Sequence, residues 1–156
     1  MKDQHKAINI LLADDDEEDR TLTCEALTES RLSNDIACVT DGEDLMDYLH
    51  RQGKYAPPFD APRPGLILLD LNMPKKDGRE ALREIKRDPD LRHIPVVVLT
   101  TSRADEDVMR TYDSGASSFI SKPVTFEGLV EVMKGLRRYW FEMVDLPRQH
   151  DQGKWK

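Results

Sequence analysis

Two stretches of the chain are apolar at every position, at Leu66–Leu69 and at 94–99. A strand that is apolar on both faces must be covered on both faces, which is typical of a parallel sheet with helices on either side. The first stretch stops at Asp70, and Pro74 and Gly78 then predict a structured loop before the next helix. These patterns indicate buried strands whose carboxyl ends carry polar residues.

The remaining chain alternates between strand and helix patterns. Three further strands are predicted, at Ile8–Ala13, 35–39 and Ser118–Ser121. Apolar residues at helical spacing predict helices from Glu17 to near Ser30, from Gly42 to closure at Gly53, from Gly78 to 88–89, from about Ala104 to 114–115, and from near Thr125 through Trp140. Four prolines at 55–64 predict an extended loop. Strict alternation of five strands and five helices predicts a doubly wound α/β fold, with a five-stranded parallel sheet in the flavodoxin-like order 2-1-3-4-5.

Length and charge narrow the class of protein. A chain of 156 residues predicts one domain. Its net charge of −7 argues against nucleic acid as a partner. No apolar run approaches the roughly 20 residues that span a bilayer, and residues 1–6 are polar, which argues against a secretory signal. Cys24 and Cys38 form no disulfide framework and are expected to be reduced, half-buried thiols. These features predict a cytoplasmic domain.

Polar residues whose side chains could take part in binding or catalysis follow four of the predicted strands: Asp14, Asp15, Asp70, Thr100 and Lys122. The carboxyl ends of strands in an open α/β sheet form the ligand crevice, so these side chains are expected to meet there. Three carboxylates in one pocket repel each other and need a cation, and oxygen ligands suit Mg²⁺. The acids at 17–19 are expected instead to begin the first helix, where they oppose its positive N-terminal dipole.

A cation, a lysine and a hydroxyl beside carboxylates indicate a phosphoryl-transfer site. The sequence has no glycine-rich phosphate loop of the nucleotide-binding kind. The simplest interpretation is therefore that Asp70 is itself the nucleophile that receives the phosphoryl group.

The chain resembles the receiver domains of two-component response regulators. The resemblance rests on four motifs in order, which are Asp14-Asp15, Asp70-Leu71-Asn72-Met73-Pro74 with Asp77-Gly78, Leu99-Thr100-Thr101, and Lys122-Pro123. It covers about residues 6–146 and leaves 147–156 as a polar tail, with too few residues for a DNA-binding output domain.

The resemblance implies a role for each matching residue. Asp70 would be the phosphoacceptor, Lys122 would hold a phosphoryl oxygen, and Thr100 would be the switch hydroxyl, with Phe119 as its coupled aromatic residue. Mg²⁺, or Mn²⁺ or Ca²⁺ as substitutes, would be bound by Asp15, Asp70 and the backbone carbonyl of Asn72 directly and by Asp14 through water. The protein would not be an enzyme beyond its own phosphoryl transfer and autodephosphorylation.

A narrower resemblance suggests the partner. The proline-rich loop, the segment at 88–95 and the ending at 139–147 are similar to the stand-alone regulators that work with phytochrome-type histidine kinases, which implies such a kinase as the phosphoryl donor. Trp140 and Phe141 are adjacent, so one helix cannot bury both on the same stripe. With Tyr139 they predict a homodimer through the face of the fourth predicted helix, fifth strand and fifth predicted helix.

Three alternatives remain at this stage. A phosphorelay shuttle or phosphate sink would use the same residues. A phosphoaspartate phosphatase would want a carboxylate two residues after the nucleophile, where this chain has Asn72. A flavin-binding protein would need a phosphate loop after the first strand, where the acids of this chain would repel phosphate.

Overall fold

A parallel sheet forms the centre of the computed structural model, which describes residues 8–30, 33–71, 73–100, 118–123 and 125–138. Its strands are β1 (Ile8–Ala13), β2 (Ser33–Val39), β3 (Leu66–Leu69), β4 (Val96–Thr100) and β5 (Ser118–Ser121). All neighbouring strands are parallel. Their order, β2-β1-β3-β4-β5, confirms the predicted topology.

Four helices are described: α1 (Glu17–Ser30), α2 (Gly42–His50), α3 (Gly78–Arg87) and α4 (Phe126–Arg138). The last of these is the fifth predicted helix, and Thr125 begins it as expected, since its hydroxyl accepts the amide of Gly128 at 3.0 Å. None of the described helices is long and apolar enough to cross a bilayer.

The core lies on both faces of the sheet because the central strands are apolar at every position. Alternate side chains such as Leu12, Leu68 and Val97 pack with α1 and α4, while their neighbours, such as Ile67 and Val98, pack with α2 and α3. All four residues of β3 are fully buried. The continuous apolar runs in the sequence therefore have the expected cause, which is a sheet covered on both sides.

Three predicted boundaries were wrong. The second strand begins at Ser33, two residues earlier than expected. The second helix does not close at Gly53. It ends at His50, with Arg51 in the left-handed region at φ 57° and its amide bonded back to the carbonyls of the last turn. Gly53 begins a short 3₁₀ turn, Gly53–Tyr55, which takes up the first residue of the predicted loop.

The fourth strand begins two residues later than expected. The amide of Ile94 donates to the carbonyl of Leu91 at 3.0 Å and so belongs to the preceding turn. Pro95 has no amide to donate and only accepts, from Ile67 at 3.0 Å. The apolar pattern alone does not distinguish these residues from the strand because Ile94 is also buried.

Several predictions lie outside the described residues. They are the helix at 104–115, Asn72, the aromatic residues at 139–141 and the tail at 147–156. For Thr100 and Phe119 the structure describes the main chain alone.

Candidate functional site

Two aspartates are fixed at the carboxyl edge of the sheet by backbone hydrogen bonds that continue past the strands. The amide of Asp14, directly after β1, donates to the carbonyl of Val39 at 3.1 Å. The amide of Asp70, directly after β3, donates to that of Ala13 at 2.9 Å. The parallel topology therefore brings residues that are distant in sequence to the same edge.

Three carboxylates meet at this edge. One oxygen from each of Asp14, Asp15 and Asp70 lies within 4.8 Å of the others. Asp14 is almost fully buried and Asp15 is exposed, while the Asp70 side chain keeps 13% of its surface exposed. The cluster is thus open on the Asp15 side and closed beneath Asp14.

Lys122 is the cation that the structure places against these acids. Its side chain is only 7% exposed and lies at the end of β5. Its ammonium group donates to Asp14 Oδ2 at 3.0 Å and lies 3.8 Å from Asp70 Oδ2. Burial opposes its charge, but the attraction of Asp14, with smaller ones from Asp70 and Asp19, outweighs burial and raises the pKa of Lys122 above its ordinary value. Lys122 is therefore an ammonium ion at neutral pH.

The other oxygen of Asp14 is also engaged. The amide of Asp16 donates to Asp14 Oδ1 at 3.0 Å. Both carboxylate oxygens of this buried acid therefore have a donor, which is what a buried charge requires. Asp15, by contrast, faces solvent beside it.

Two residues of α1 belong to the site although no sequence motif marks them as site residues. Asp19 begins the helix as predicted, but its Oδ2 also accepts from Lys122 at 3.3 Å. The guanidinium of Arg20 donates to the backbone carbonyl of Asp14 at 3.0 Å. Neither contact follows from helical periodicity, because both depend on how α1 is placed against the strand ends. The only sequence signal is that both residues follow Asp14 by five and six positions.

Gly78 holds the loop after Asp70 close to the strand end. A Cβ atom at this position would lie 2.5 Å from the carbonyl oxygen of Asp70 and 2.7 Å from the Cα of Leu71. The amide of Gly78 donates to the Leu71 carbonyl at 2.9 Å. The glycine that the sequence pattern marks as a loop residue is therefore needed for close approach to the backbone of the acid itself.

The backbone also places the two predicted switch positions. Thr100, the last residue of β4, is paired with Ser121, which precedes Lys122. Phe119 is paired with Val98 within the same two strands. Thr100 therefore ends its strand at the same edge as Lys122, and Asn72 lies outside the described residues.

The donor set fits a hard divalent cation. The clustered ligand atoms are all carboxylate oxygens, which suit Mg²⁺ and its relatives. The nearby ammonium of Lys122 opposes only part of the negative charge of three carboxylates. The residues present therefore match the requirement for a cation that was expected from the sequence.

Comparison with known proteins identifies the class. The chain belongs to the response regulator receiver domain family, whose model matches residues 10–134. Receiver domains of this family act in two-component signalling and bind a divalent metal.

The chain is similar to phytochrome-associated members of the family. It is 44% identical over 138 residues to response regulator Rcp1 of Synechocystis sp., covering 88% of this chain and 92% of that protein. The structure of the phosphorylated cyanobacterial phytochrome response regulator RcpA is 43% identical, with a TM-score of 0.83 and coverage of 91% and 99% of the two chains. The Mn²⁺-bound form of Rcp1 is 42% identical, with a TM-score of 0.81 and coverage of 90% and 99%.

Proposed function

We propose that this protein is a stand-alone response regulator that accepts a phosphoryl group on Asp70 with Mg²⁺ bound beside it. The observation that carries the proposal is the cluster of Asp14, Asp15 and Asp70 with the buried ammonium of Lys122 at the carboxyl edge of the sheet. The receiver domain is proposed to extend over residues 6–146, beyond the residues 10–134 that the family model matches. The protein is proposed to be cytoplasmic.

Each residue has a defined task in the transfer. A carboxylate oxygen of Asp70 attacks the phosphorus of a phosphohistidine, the phosphorus–nitrogen bond breaks, and the imidazole nitrogen keeps the electron pair and takes up a proton. Lys122 holds an oxygen of the transferred group, and the Thr100 hydroxyl turns toward another, with Phe119 following as the coupled aromatic residue.

Mg²⁺, when bound, neutralises charge on the acids and on the phosphoryl oxygens. Asp15, Asp70 and the Asn72 carbonyl would hold it directly, and Asp14 would do so through water. Asp14 suits the indirect role because both of its oxygens already accept hydrogen bonds.

We further propose that the donor is a phytochrome-type histidine kinase and that the output is made through protein contacts. Similarity to Rcp1 and RcpA, the latter described as a phytochrome response regulator, supports the donor. The phosphorylated state shifts a two-state equilibrium of the surface after β4, as is usual for such switches. The homodimer predicted through Tyr139, Trp140 and Phe141 is the proposed form, and light scattering that reports a monomer at high concentration, with and without a phosphoryl donor, would contradict it.

The central test is intact mass after incubation with a small acyl phosphate, with and without Mg²⁺. We expect one Mg²⁺-dependent phosphoryl adduct in the wild type and none in Asp70→Asn. Asp77→Asn is a matched control, because it makes the same change at an exposed acid that caps α3 and asparagine caps equally well. This variant should be phosphorylated like the wild type.

Other outcomes discriminate between the alternatives. Steady phosphate release without an adduct would indicate a phosphatase, and neither adduct nor release would mean that the site is not competent. Onward transfer from the phosphorylated chain to a second histidine protein would indicate a phosphorelay shuttle. Transfer from a purified phytochrome-type kinase, compared with an unrelated histidine kinase, tests the proposed donor.

A further inference from the structure

The only two cysteines of the chain lie side by side and are not members of the cluster of Asp14, Asp15 and Asp70. Cys24 is on α1 and Cys38 is on β2, and their sulfur atoms are 3.7 Å apart. Both are free thiols, Cys24 partly buried and Cys38 exposed. Nothing in the proposed phosphoryl transfer uses either side chain.

We propose that Cys24 and Cys38 form a redox modification site, in which a hydroperoxide converts the two thiols to an intramolecular disulfide. The sulfur atoms are already in contact and must approach by about 1.6 Å more to reach the covalent distance of about 2.05 Å. The bond would close a loop of modest length between neighbouring elements, so no unfolding is required to bring the thiols together.

The surroundings favour Cys38 as the thiol that reacts first. It is the exposed member of the pair, so an oxidant reaches it from solvent. A hydrogen bond from the Cys24 thiol, with a contribution from the charge of Arg20, lowers the pKa of Cys38 to about 7, although partial desolvation and the negative charge of Asp14 oppose this shift. The same pairing with Cys38, together with burial, raises the pKa of Cys24. A thiolate beside a retained thiol is the arrangement in which an oxidised sulfur finds its resolving partner.

The chemistry balances in two steps. The Cys38 thiolate attacks one peroxide oxygen, the oxygen–oxygen bond breaks, and a sulfenic acid and hydroxide (or alkoxide) form. The Cys24 sulfur then attacks the sulfenic sulfur, the sulfur–oxygen bond breaks, and water leaves as the disulfide forms. Together the two sulfurs lose two electrons to the peroxide, and an added dithiol restores both thiols.

The two cysteines lie close in sequence to residues that hydrogen-bond the main chain of Asp14. Val39, next to Cys38, accepts the backbone amide of Asp14, and Arg20, one turn before Cys24, donates to the Asp14 carbonyl. The disulfide would therefore join the two elements that hold the main chain of Asp14.

The test counts thiols in the folded chain. Protein treated with a small excess of hydrogen peroxide is quenched, labelled with a maleimide and measured by intact mass. We expect labelled thiols to fall from two to none in a monomeric chain that has lost two hydrogens, and to return to two after dithiothreitol. Because the chain has two cysteines, such a monomer can contain only the Cys24–Cys38 bond. Persistence of both thiols, or oxidation that yields only linked dimers or irreversible sulfur acids, would overturn the proposal.

Matched serine variants separate the two roles. Cys24→Ser leaves Cys38 without its partner, so its sulfenic acid should persist and be trapped by dimedone. Cys38→Ser should lose its thiol to peroxide more slowly, because the exposed thiol is gone. Trapping in neither variant, or faster trapping in Cys38→Ser than in Cys24→Ser, would contradict the assignment.

A comparison with the unfolded chain tests the geometry itself. Disulfide closure by glutathione disulfide is followed in native buffer and in denaturant at the same pH. Native contact should make closure about tenfold faster or more, since it raises the effective concentration of one thiol at the other. Equal rates, or slower closure in the native chain, would show that the fold does not prepare this bond.

Discussion

Replacement of Asp15 by asparagine should make the metal-free protein more stable. Asp15 carries a carboxylate oxygen within 4.8 Å of oxygens of both Asp14 and Asp70. Two unit charges at that distance repel by about 0.9 kcal/mol in a water-like dielectric, which is appropriate because Asp15 is exposed. Screening at physiological ionic strength reduces each term by about half. With two neighbours, the variant should gain about 1 kcal/mol in its free energy of unfolding, or about 2–4 °C in Tm.

Mg²⁺ should reverse this difference. Under the proposed function Asp15 is a direct ligand, so the wild type binds Mg²⁺ and the variant binds it poorly. A cation at about ten times its Kd stabilises the state that binds it by about 1.4 kcal/mol. The variant should therefore be the more stable protein in EDTA, and the wild type should match or exceed it as Mg²⁺ is added.

Urea and thermal unfolding in EDTA, followed by a Mg²⁺ titration, measure both effects. Glu18→Gln is the control, because it makes the same charge change at an exposed acid in the first turn of α1, outside the cluster. Since that acid opposes the helix dipole, its loss should be neutral or slightly destabilising in EDTA and should leave the response to Mg²⁺ intact. If Asp15→Asn destabilises the metal-free protein, or gains as much from Mg²⁺ as the wild type, the account of the cluster is wrong.

Three further substitutions test other parts of the structure. Lys122→Met should lower the free energy of unfolding by about 3–5 kcal/mol, because it leaves the buried carboxylate of Asp14 without its ammonium partner; urea unfolding showing no loss would contradict the pairing. Gly78→Ala should destabilise by about 1–3 kcal/mol and slow phosphoryl acceptance at Asp70, since its Cβ would meet the Asp70 carbonyl at 2.5 Å; a variant with wild-type Tm and phosphorylation rate would refute the close approach. Burial, with a contribution from a nearby acid, raises the pKa of Tyr48 to about 12. Its neutral hydroxyl should therefore contribute stability that is fully present below about pH 10 and is lost as the pH rises toward 12. The difference in free energy of unfolding between wild type and Tyr48→Phe should be smaller at pH 11 than at pH 9. A difference that is larger at pH 11 would show that the pKa of Tyr48 is lowered by folding and not raised.

The fold and the acid cluster could be predicted for the same physical reason. Apolar runs at β3 and β4 require cover on both faces, which implies parallel strands with helices between them. Parallel strands share one carboxyl edge, so acids after the first and third strands must meet there. This inference needs strand order but no side-chain geometry, and both the order and the cluster of Asp14, Asp15 and Asp70 agree with it.

Contacts that depend on how one element is placed against another could not be predicted. Asp19 and Arg20 reach the site, and Cys24 reaches Cys38, because α1 is rotated and positioned against β1 and β2 in a particular way. Hydrophobic periodicity identifies the buried face of a helix but not its height along the sheet. The end of α2 was missed for a local reason, since the left-handed position fell at Arg51 although glycine is the usual residue there.

Charge balance explains why the proposed transfer should require a metal. Lys122 shares one positive charge among Asp14, Asp19 and Asp70, and its shortest contacts are to Asp14 and Asp19. With Asp15 included, the metal-free site stays negative, so an approaching phosphoryl donor, itself negative, is repelled from the carboxylate that must attack it. A divalent cation removes most of this excess, after which Lys122 has charge to offer a phosphoryl oxygen. The proposed dependence on Mg²⁺ thus follows from the number and placement of the acids, independently of any coordination geometry.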